Sequence, residues 1–136
     1  MTIIPVILAG GIGERFWPMS RTAMPKQLLP IVSNKPMIEE TLVRARSLCG
    51  KETRPLIITG KKTAPRIRSI LSSRYDYRLI AEPVGKNTAP AVAFGAAMVR
   101  RQYGDDAVMA VLSADHAITP RPAFTAAIKQ AARLAS

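Results

Sequence analysis

Three glycines and two basic residues near the start of the sequence have the chemistry of a phosphate-binding loop. Gly10, Gly11 and Gly13 follow an apolar run closely, and Arg15 and Lys26 come after them with positive charge. Glycine has no side chain, so its backbone N–H can approach a ligand closely. A row of such N–H groups forms a concavity that binds anions. These residue types therefore favour a polyphosphate ligand.

A glycine-rich loop alone is weak evidence, because a tight strand-to-helix turn with incidental charges has the same composition. Two familiar phosphate loops do not match in detail. A P-loop requires Gly-Lys-Ser/Thr four residues after its first glycine, and no such string occurs. A dinucleotide-binding turn requires a third glycine where this chain has Phe16.

A second chemically suggestive stretch reads EPVGKNTAP over residues 82–90. The carboxylate of Glu82 can accept hydrogen bonds from the ring N–H and amino group of a guanine. Asn87 and Thr88 stand at a predicted helix start, where N–H groups face a ligand. Taken alone, the stretch is better explained by a surface carboxylate before a turn, followed by a plain N-cap, because caps are far commoner than binding sites.

A third stretch, VLSADH over residues 111–116, ends an apolar run with an acid. Asp115 at the end of a buried strand suits Mg²⁺, a hard cation that prefers oxygen ligands and retains water. A cap for the following segment is the structural alternative. His116 is the only histidine, and we interpret it as a structural neighbour of Asp115 and not as an acid or base.

Apolar runs alternate with helical patterns along the whole chain, which predicts an α/β fold. Strands are predicted at residues 3–8, 55–59, 77–81 and 107–112. Helices are predicted from Pro36 to Gly50 with Ser33 or Asn34 as the cap, from Thr63 to 71, from 87 or 88 to Gly104, and through 124–135. This order implies a parallel sheet with helices on both faces and strands buried on both sides.

Ligands of such sheets bind at the carboxyl ends of the strands. The glycine loop follows the first predicted strand, Glu82 follows the third, and Asp115 follows the fourth. We therefore expect the three stretches to meet at one edge of the sheet.

The composition restricts the partners. The chain has 136 residues, which predicts one domain, and a net charge of +11, which favours anionic partners. The basic residues are scattered and form no stripe, which argues against nucleic acid. Cys49 is the single cysteine, which suggests a reducing compartment. With neither a leader peptide nor a membrane span in the pattern, we expect a cytoplasmic protein that does not contact membranes.

Taken together, the motifs resemble those of the mannose-1-phosphate guanylyltransferases, within the sugar-nucleotide pyrophosphorylases. The resemblance rests on LAGGIGERFWP at 8–18, Ser20 and Arg21, PKQ at 25–27, and the two later stretches. Lys86 stands where the family usually has Arg, and Ser113 where it usually has Pro. The resemblance implies a Rossmann-like nucleotide-diphospho-sugar transferase fold. We interpret Phe16 and Trp17 as packing the loop against the sheet.

The resemblance also implies a reaction: GMP passes from GTP to mannose 1-phosphate, giving GDP-mannose and pyrophosphate. It implies Mg²⁺ on Asp115, neutralisation of the leaving pyrophosphate by Arg15, and a bridge between phosphate oxygens from Lys26. The implied nucleotide-binding residues are Leu8, Ala9, Gly10, Gly11, Gly13, Glu82, Asn87 and Thr88. No role follows for Ser20, Arg21 or Gln27.

The resemblance extends over nearly all of residues 1–136 but covers only about the first half of the family's catalytic domain. We therefore expect the chain to be the N-terminal nucleotide-binding half of a nucleotidyltransferase domain, with the C-terminal half absent. Two alternatives to an active enzyme stay open. One is a non-catalytic remnant that binds GTP or phosphate, and the other is one half of a split enzyme. An oligomer or a complementing C-terminal half would then be the partner.

Overall fold

The computed structural model describes residues 1–11, 17–20, 24–85 and 87–136. Strands and helices alternate in this part of the chain, as predicted. Their order is β1 Thr2–Leu8, α1 Met37–Arg46, β2 Leu56–Gly60, α2 Ala64–Leu71, β3 Arg78–Glu82, α3 Thr88–Tyr103, β4 Ala107–Ser113 and α4 Arg121–Ala135. Short 3₁₀ turns occur at Lys26–Leu28 and Ser72–Arg74. The α/β class is confirmed.

The four strands form one parallel sheet in the order β3-β2-β1-β4. Because successive side chains of a strand point to opposite faces, the apolar residues of β1 divide between two cores. Ile3 and Ile7 pack with residues of α1, α2 and α4 on one face. Ile4 and Val6 pack with residues of α3 on the other. Helices therefore cover both faces, as the sequence predicts.

Helix α3 approaches the sheet closely at Gly95. A Cβ atom at this position would lie 3.1 Å from Cδ1 of Ile58 and 3.2 Å from Cγ1 of Val6. The absent side chain is therefore what lets the helix backbone rest on β1 and β2. Although α3 is the longest described helix, at 16 residues, none of the described helices has the length and apolarity that crossing a membrane requires.

The prediction that the strands are buried on both sides is wrong for the two edge strands, β3 and β4, and no residue of β3 is fully buried. Strand order places β4 at an edge of the sheet, and among the described residues its only strand partner is β1. Most of its side chains are half-buried, and Val111 is 42% exposed. An apolar run predicts a strand, but it does not say which strands are central.

The predicted helix caps are only partly right. Pro36 itself occupies the N-cap of α1, which begins at Met37. Ser33 and Asn34 are therefore too far from the first turn to cap it, and the Ser33 hydroxyl hydrogen-bonds to Glu40 instead. Thr63 and Asn87 do stand at the N-caps of α2 and α3, but neither side chain makes the capping bond.

The C-terminal end of α3 agrees with the prediction, whereas that of α1 comes earlier than predicted. Gly104 ends α3 as predicted and has a φ of 86°. Helix α1 ends at Arg46, earlier than the predicted Gly50. The backbone N–H groups of Ser47, Leu48 and Cys49 then bond to carbonyls only three residues back, so the chain tightens before it leaves the helix.

Candidate functional site

The carboxyl end of β1 is joined by backbone hydrogen bonds to both neighbouring strands. The N–H of Ala114, just after β4, donates to the carbonyl of Leu8 at 3.1 Å. The N–H of Ala9 donates to the carbonyl of Ile58 in β2 at 2.8 Å. The first residues of the glycine loop therefore start from a fixed position between β2 and β4.

A buried glutamine holds the next residues of the loop. The side-chain nitrogen Nε2 of Gln27 donates to the carbonyl oxygens of Ala9 and Gly11, both at 3.0 Å. The hydroxyl of Thr59 donates to the same Ala9 oxygen at 2.8 Å. Sequence reasoning assigned no role to Gln27, although its position in the PKQ string was visible.

Glu82, the last residue of β3, lies beside this loop. A Cβ atom on Gly10 would be 3.6 Å from Oε2 of Glu82, so the glycine backbone and the carboxylate are neighbours. The carbonyl of Glu82 accepts a hydrogen bond from the N–H of Lys61 at 3.3 Å, which ties the ends of β2 and β3 together. The second predicted stretch thus reaches the first.

Lys26 and Asp115 join the first predicted stretch to the third. The ammonium Nζ of Lys26 lies 3.3 Å from Oδ2 of Asp115, with the two side chains 20% and 38% exposed. The other carboxylate oxygen, Oδ1, accepts a hydrogen bond from the Ser113 hydroxyl at 2.5 Å. His116 approaches Oδ1 with Nε2 at 4.0 Å. Both oxygens of Asp115 therefore have fixed neighbours.

These neighbours keep Asp115 ionised. Partial burial of the carboxyl by itself raises its pKa, but the hydrogen bond from Ser113 and the hydrogen bond and charge of Lys26 outweigh it. The nearby His116 acts in the same direction, and the net pKa of Asp115 is lowered from 3.8. The carboxylate is thus negatively charged at neutral pH and available to a cation.

Helix α1 supports the segment that carries Asp115. The hydroxyl of Thr41 donates to the carbonyl of Ala114 at 3.3 Å. The buried Arg44 donates from Nη2 to the carbonyl of His116 at 3.0 Å and to the Thr41 hydroxyl at 3.1 Å. Its guanidinium lies 5.3 Å from the ring centre of Phe124, and burial lowers the pKa of Arg44.

Thr41 and Arg44 were also missed by the sequence analysis. The available signal was a polar pair among the apolar positions of α1, since Leu42 and Ala45 directly follow them and are buried. Buried polar side chains on a core-facing helix usually make hydrogen bonds. Here those hydrogen bonds hold residues 114–116 in place.

The structure thus brings together most of the predicted site residues that it describes. The contiguous group comprises Leu8, Ala9, Gly10, Gly11, Lys26, Glu82 and Asp115. Asn87 and Thr88 are exposed at the start of α3, and no hydrogen bond or ion pair between described residues joins them to the group. Gly13 and Arg15, with Phe16, Arg21 and Lys86, lie outside the described residues.

The packing role predicted for Trp17 is wrong. Its side chain is 77% exposed. The buried cluster that contains Ala9 includes Leu28 and Ala114 and does not include Trp17. The start of the loop is therefore packed without the indole.

The donor set around Asp115 fits one kind of metal ion. Within the described ranges, no group of three or more His, Cys, Asp or Glu side chains could enclose a metal. Mg²⁺ does not need such a cage, because it keeps several waters and commonly binds one or two carboxylates together with substrate phosphates. A single ionised carboxylate, partly exposed at a strand end, fits Mg²⁺ that arrives with a nucleotide.

Comparison with known proteins gives consistent matches. The sequence profile of the family described as "Nucleotidyl transferase" matches residues 4–136. A mannose-1-phosphate guanylyltransferase of Escherichia coli is 41% identical over 137 aligned positions, covering 98% of this chain and 28% of that protein. A similar protein of Klebsiella pneumoniae, with the same name, also has 41% identity.

Two solved structures share the fold. One, described as a mannose-1-phosphate geranyltransferase from Thermus thermophilus, has 32% identity and a TM-score of 0.79, covering 96% of this chain and 37% of its own. Another, described as a mannose-6-phosphate isomerase from Helicobacter pylori, has 25% identity and a TM-score of 0.75, covering 98% and 46%. The chain thus spans less than a third of the length of the curated relatives it matches, at 28%.

Proposed function

Because the chain belongs to the nucleotidyl transferase family, we propose that it supplies the nucleotide-binding half of a mannose-1-phosphate guanylyltransferase. The reaction proposed is transfer of GMP from GTP to mannose 1-phosphate, with release of pyrophosphate. The observation that carries the proposal is the Lys26–Asp115 ion pair beside the start of the glycine loop. It brings a cation for phosphates and an anion for a metal together at the carboxyl edge of the sheet.

The proposed chemistry needs no covalent nucleophile from the protein. An oxygen of the sugar phosphate attacks the α-phosphorus of GTP, and the bond to the bridging oxygen of the β-phosphate breaks. The attacking oxygen already carries negative charge, so no strong base is required. The protein then contributes mainly positioning and neutralisation of charge.

Most of the predicted site residues have a task in this scheme. The N–H groups of the glycine loop hold the triphosphate, and Lys26 contacts phosphate oxygens near the reacting centre. Glu82, next to Gly10, accepts hydrogen bonds from the guanine edge. Arg15 neutralises the pyrophosphate as it leaves. Asn87 and Thr88 add N–H groups at the start of α3.

Asp115 would hold Mg²⁺ in this scheme, with the nucleotide phosphates and water as its other ligands. When bound, the ion neutralises phosphate charge. Lys26 already occupies one side of Oδ2, but a carboxylate offers about four lone-pair positions, so one neighbour does not exclude another. The hydrogen bond from Ser113 fixes the direction of the remaining positions.

A non-catalytic nucleotide-binding protein is the second candidate. It rests on the same described groups, since the Lys26–Asp115 pair and the approach of Glu82 to Gly10 concern binding in the first place. Such a protein would bind GTP through the same loop without releasing pyrophosphate. One half of a split enzyme would gain activity only when a complementing chain is added.

The test combines binding with turnover. GTP binding in the presence of Mg²⁺ is measured by calorimetry, and pyrophosphate release is measured with GTP and mannose 1-phosphate. Lys26→Ala and Asp115→Ala should each weaken binding at least about tenfold and abolish any turnover. A tenfold change corresponds to about 1.4 kcal/mol, close to the lower end of the roughly 1.5–3 kcal/mol that a hydrogen bond to a charged group contributes.

Matched controls separate the site from general charge effects. Lys129→Ala removes an exposed lysine from α4, and Asp106→Ala removes an exposed acid just before the opposite end of β4. Both controls should bind GTP like the wild type. Tight GTP binding without pyrophosphate release would support the binding protein. Full activity in the Lys26 or Asp115 variant would refute the residue roles.

A further inference from the structure

We propose that Gln27 is a positioning residue of the glycine loop, which turns two loop carbonyls inward so that the N–H of Gly10 faces outward toward an anion. The inference rests on the proposed function, because it concerns how the same site is kept ready for phosphate. It assigns a role to a residue that the motifs alone left without one.

The hydrogen bonds fix the orientation of the Gln27 side chain. Both partners of Nε2 are carbonyl oxygens, at 3.0 Å on Ala9 and 3.0 Å on Gly11. Since a carbonyl only accepts, the nitrogen end of the amide must face them. Gln27 is buried, so water does not compete freely for these bonds. One side chain therefore holds two carbonyls that are separated by Gly10.

Because the peptide bond is planar, the orientation of the Ala9 carbonyl also determines where the N–H of Gly10 points. In a trans peptide, the N–H of one residue points opposite to the C=O of the residue before it. The Ala9 carbonyl points toward Gln27 and toward the Thr59 hydroxyl at 2.8 Å. The N–H of Gly10 must point the other way, and Gly10 is exposed.

The same arrangement favours an anion electrostatically. A carbonyl oxygen that faces a bound phosphate repels it, whereas an N–H attracts it. Turning the oxygens of Ala9 and Gly11 toward Gln27 removes two partial negative charges from the ligand side of the loop. Fixing these dipoles before the ligand arrives avoids the cost of reorienting them.

The first test examines the hydrogen bonds of the loop by NMR in the absence of any ligand. In the wild type, couplings across hydrogen bonds should connect Nε2 of Gln27 with the carbonyl carbons of Ala9 and Gly11. Gln27→Met, which keeps the length but removes the donor, should shift the amide resonance of Gly10. Gln130→Glu, at an exposed position of α4, should leave that resonance in place. Missing couplings, or an unchanged Gly10 signal in Gln27→Met, would overturn the inference whether or not the chain binds nucleotide.

The second test measures GTP binding and thermal unfolding of the same proteins. Gln27→Met should weaken binding about tenfold, and Gln27→Glu should weaken it further because a carboxylate repels both carbonyls. Unfolding should change little in Gln27→Met, because the bond from Thr59 still leaves the buried Ala9 oxygen with a partner and water can reach the exposed Gly11. One bond avoids an unpaired acceptor, whereas holding the direction of both loop carbonyls requires Gln27. Equal GTP affinity in the wild type and both variants would refute the positioning role alone. A wild type without GTP affinity would refute the proposed function, while the ligand-free couplings still decide the role of Gln27.

Discussion

The Lys26–Asp115 ion pair should contribute measurably to the stability of the ligand-free chain. At 3.3 Å, two unit charges attract by about 5 kcal/mol with an effective dielectric constant of about 20. Loss of hydration and the ordering of a long lysine side chain cancel most of this. Measured values for exposed pairs lie between about 0 and 1 kcal/mol. Since Lys26 is only 20% exposed, we expect a coupling energy of about 1 kcal/mol, at the upper end of that range.

The assay is a double-mutant cycle with Lys26→Met and Asp115→Asn, measured by urea unfolding. The chain offers a matched control in the Arg54–Asp76 pair, which has nearly the same distance, 3.4 Å, but side chains that are 51% and 58% exposed. That pair should give a coupling energy of about 0.2 kcal/mol. Equal coupling energies in the two cycles would contradict the reasoning, because burial would then have no influence.

The pH dependence gives the same prediction an independent check. The pKa of Asp115 is lowered in the folded chain from 3.8, so ionisation favours the folded state. Its contribution is therefore complete above the unfolded pKa and is lost as the pH falls through the lower folded value. The stability difference between wild type and Asp115→Asn should shrink below about pH 4 and not above it. A difference that grows on acidification would refute this assignment.

Three further predictions concern helices α1 and α3 and their ends. Arg44→Met should have a free energy of unfolding within about 1 kcal/mol of the wild type, because it removes a costly buried charge together with its hydrogen bonds. Arg44→Ala also leaves a cavity, so its free energy of unfolding, measured by chemical denaturation, should be lower by about 3 kcal/mol. Gly95→Leu should lower the free energy of unfolding by about 3 kcal/mol, because α3 contacts the sheet there and any Cβ at this position would lie only 3.1 Å from Cδ1 of Ile58. An unchanged melting temperature would contradict that contact. Gly104→Ala should lower the free energy of unfolding by about 1–3 kcal/mol, because a φ of 86° with a ψ of −179° is a conformation essentially confined to glycine. Gly85→Ala should cost less: a Cβ meets nothing within 4 Å at either glycine, but only Gly104 has a positive φ.

The sequence predicted the fold well because the fold depends on local patterns. Apolar runs such as residues 3–8 mark strands wherever they lie, and helical spacing marks the elements between them. The rule that ligands bind at the carboxyl ends of parallel strands then predicted that the three stretches would meet. That prediction holds for Gly10, Glu82 and Asp115.

The remaining features depend on contacts between residues that are distant in sequence. Arg44 donates a hydrogen bond to the carbonyl of His116, 72 positions away in sequence. The residues next to either partner do not predict this bond. The 77% exposure of Trp17 likewise cannot be inferred from the residues next to it in sequence. The binding roles of individual residues come from a resemblance, and Asn87 and Thr88 are the least supported by the described contacts.

We propose that the three segments form one rim that binds Mg²⁺ with a guanine nucleotide. The most direct measurement is a titration of the isotopically labelled chain with GTP and Mg²⁺, followed through its backbone amide resonances. We predict that the signals of Gly10, Glu82 and Asp115 shift together with one common dissociation constant, while that of Gly104, at the opposite end of the fold, stays in place. Shifts confined to one segment, or gathered around Gly104, would contradict the claim.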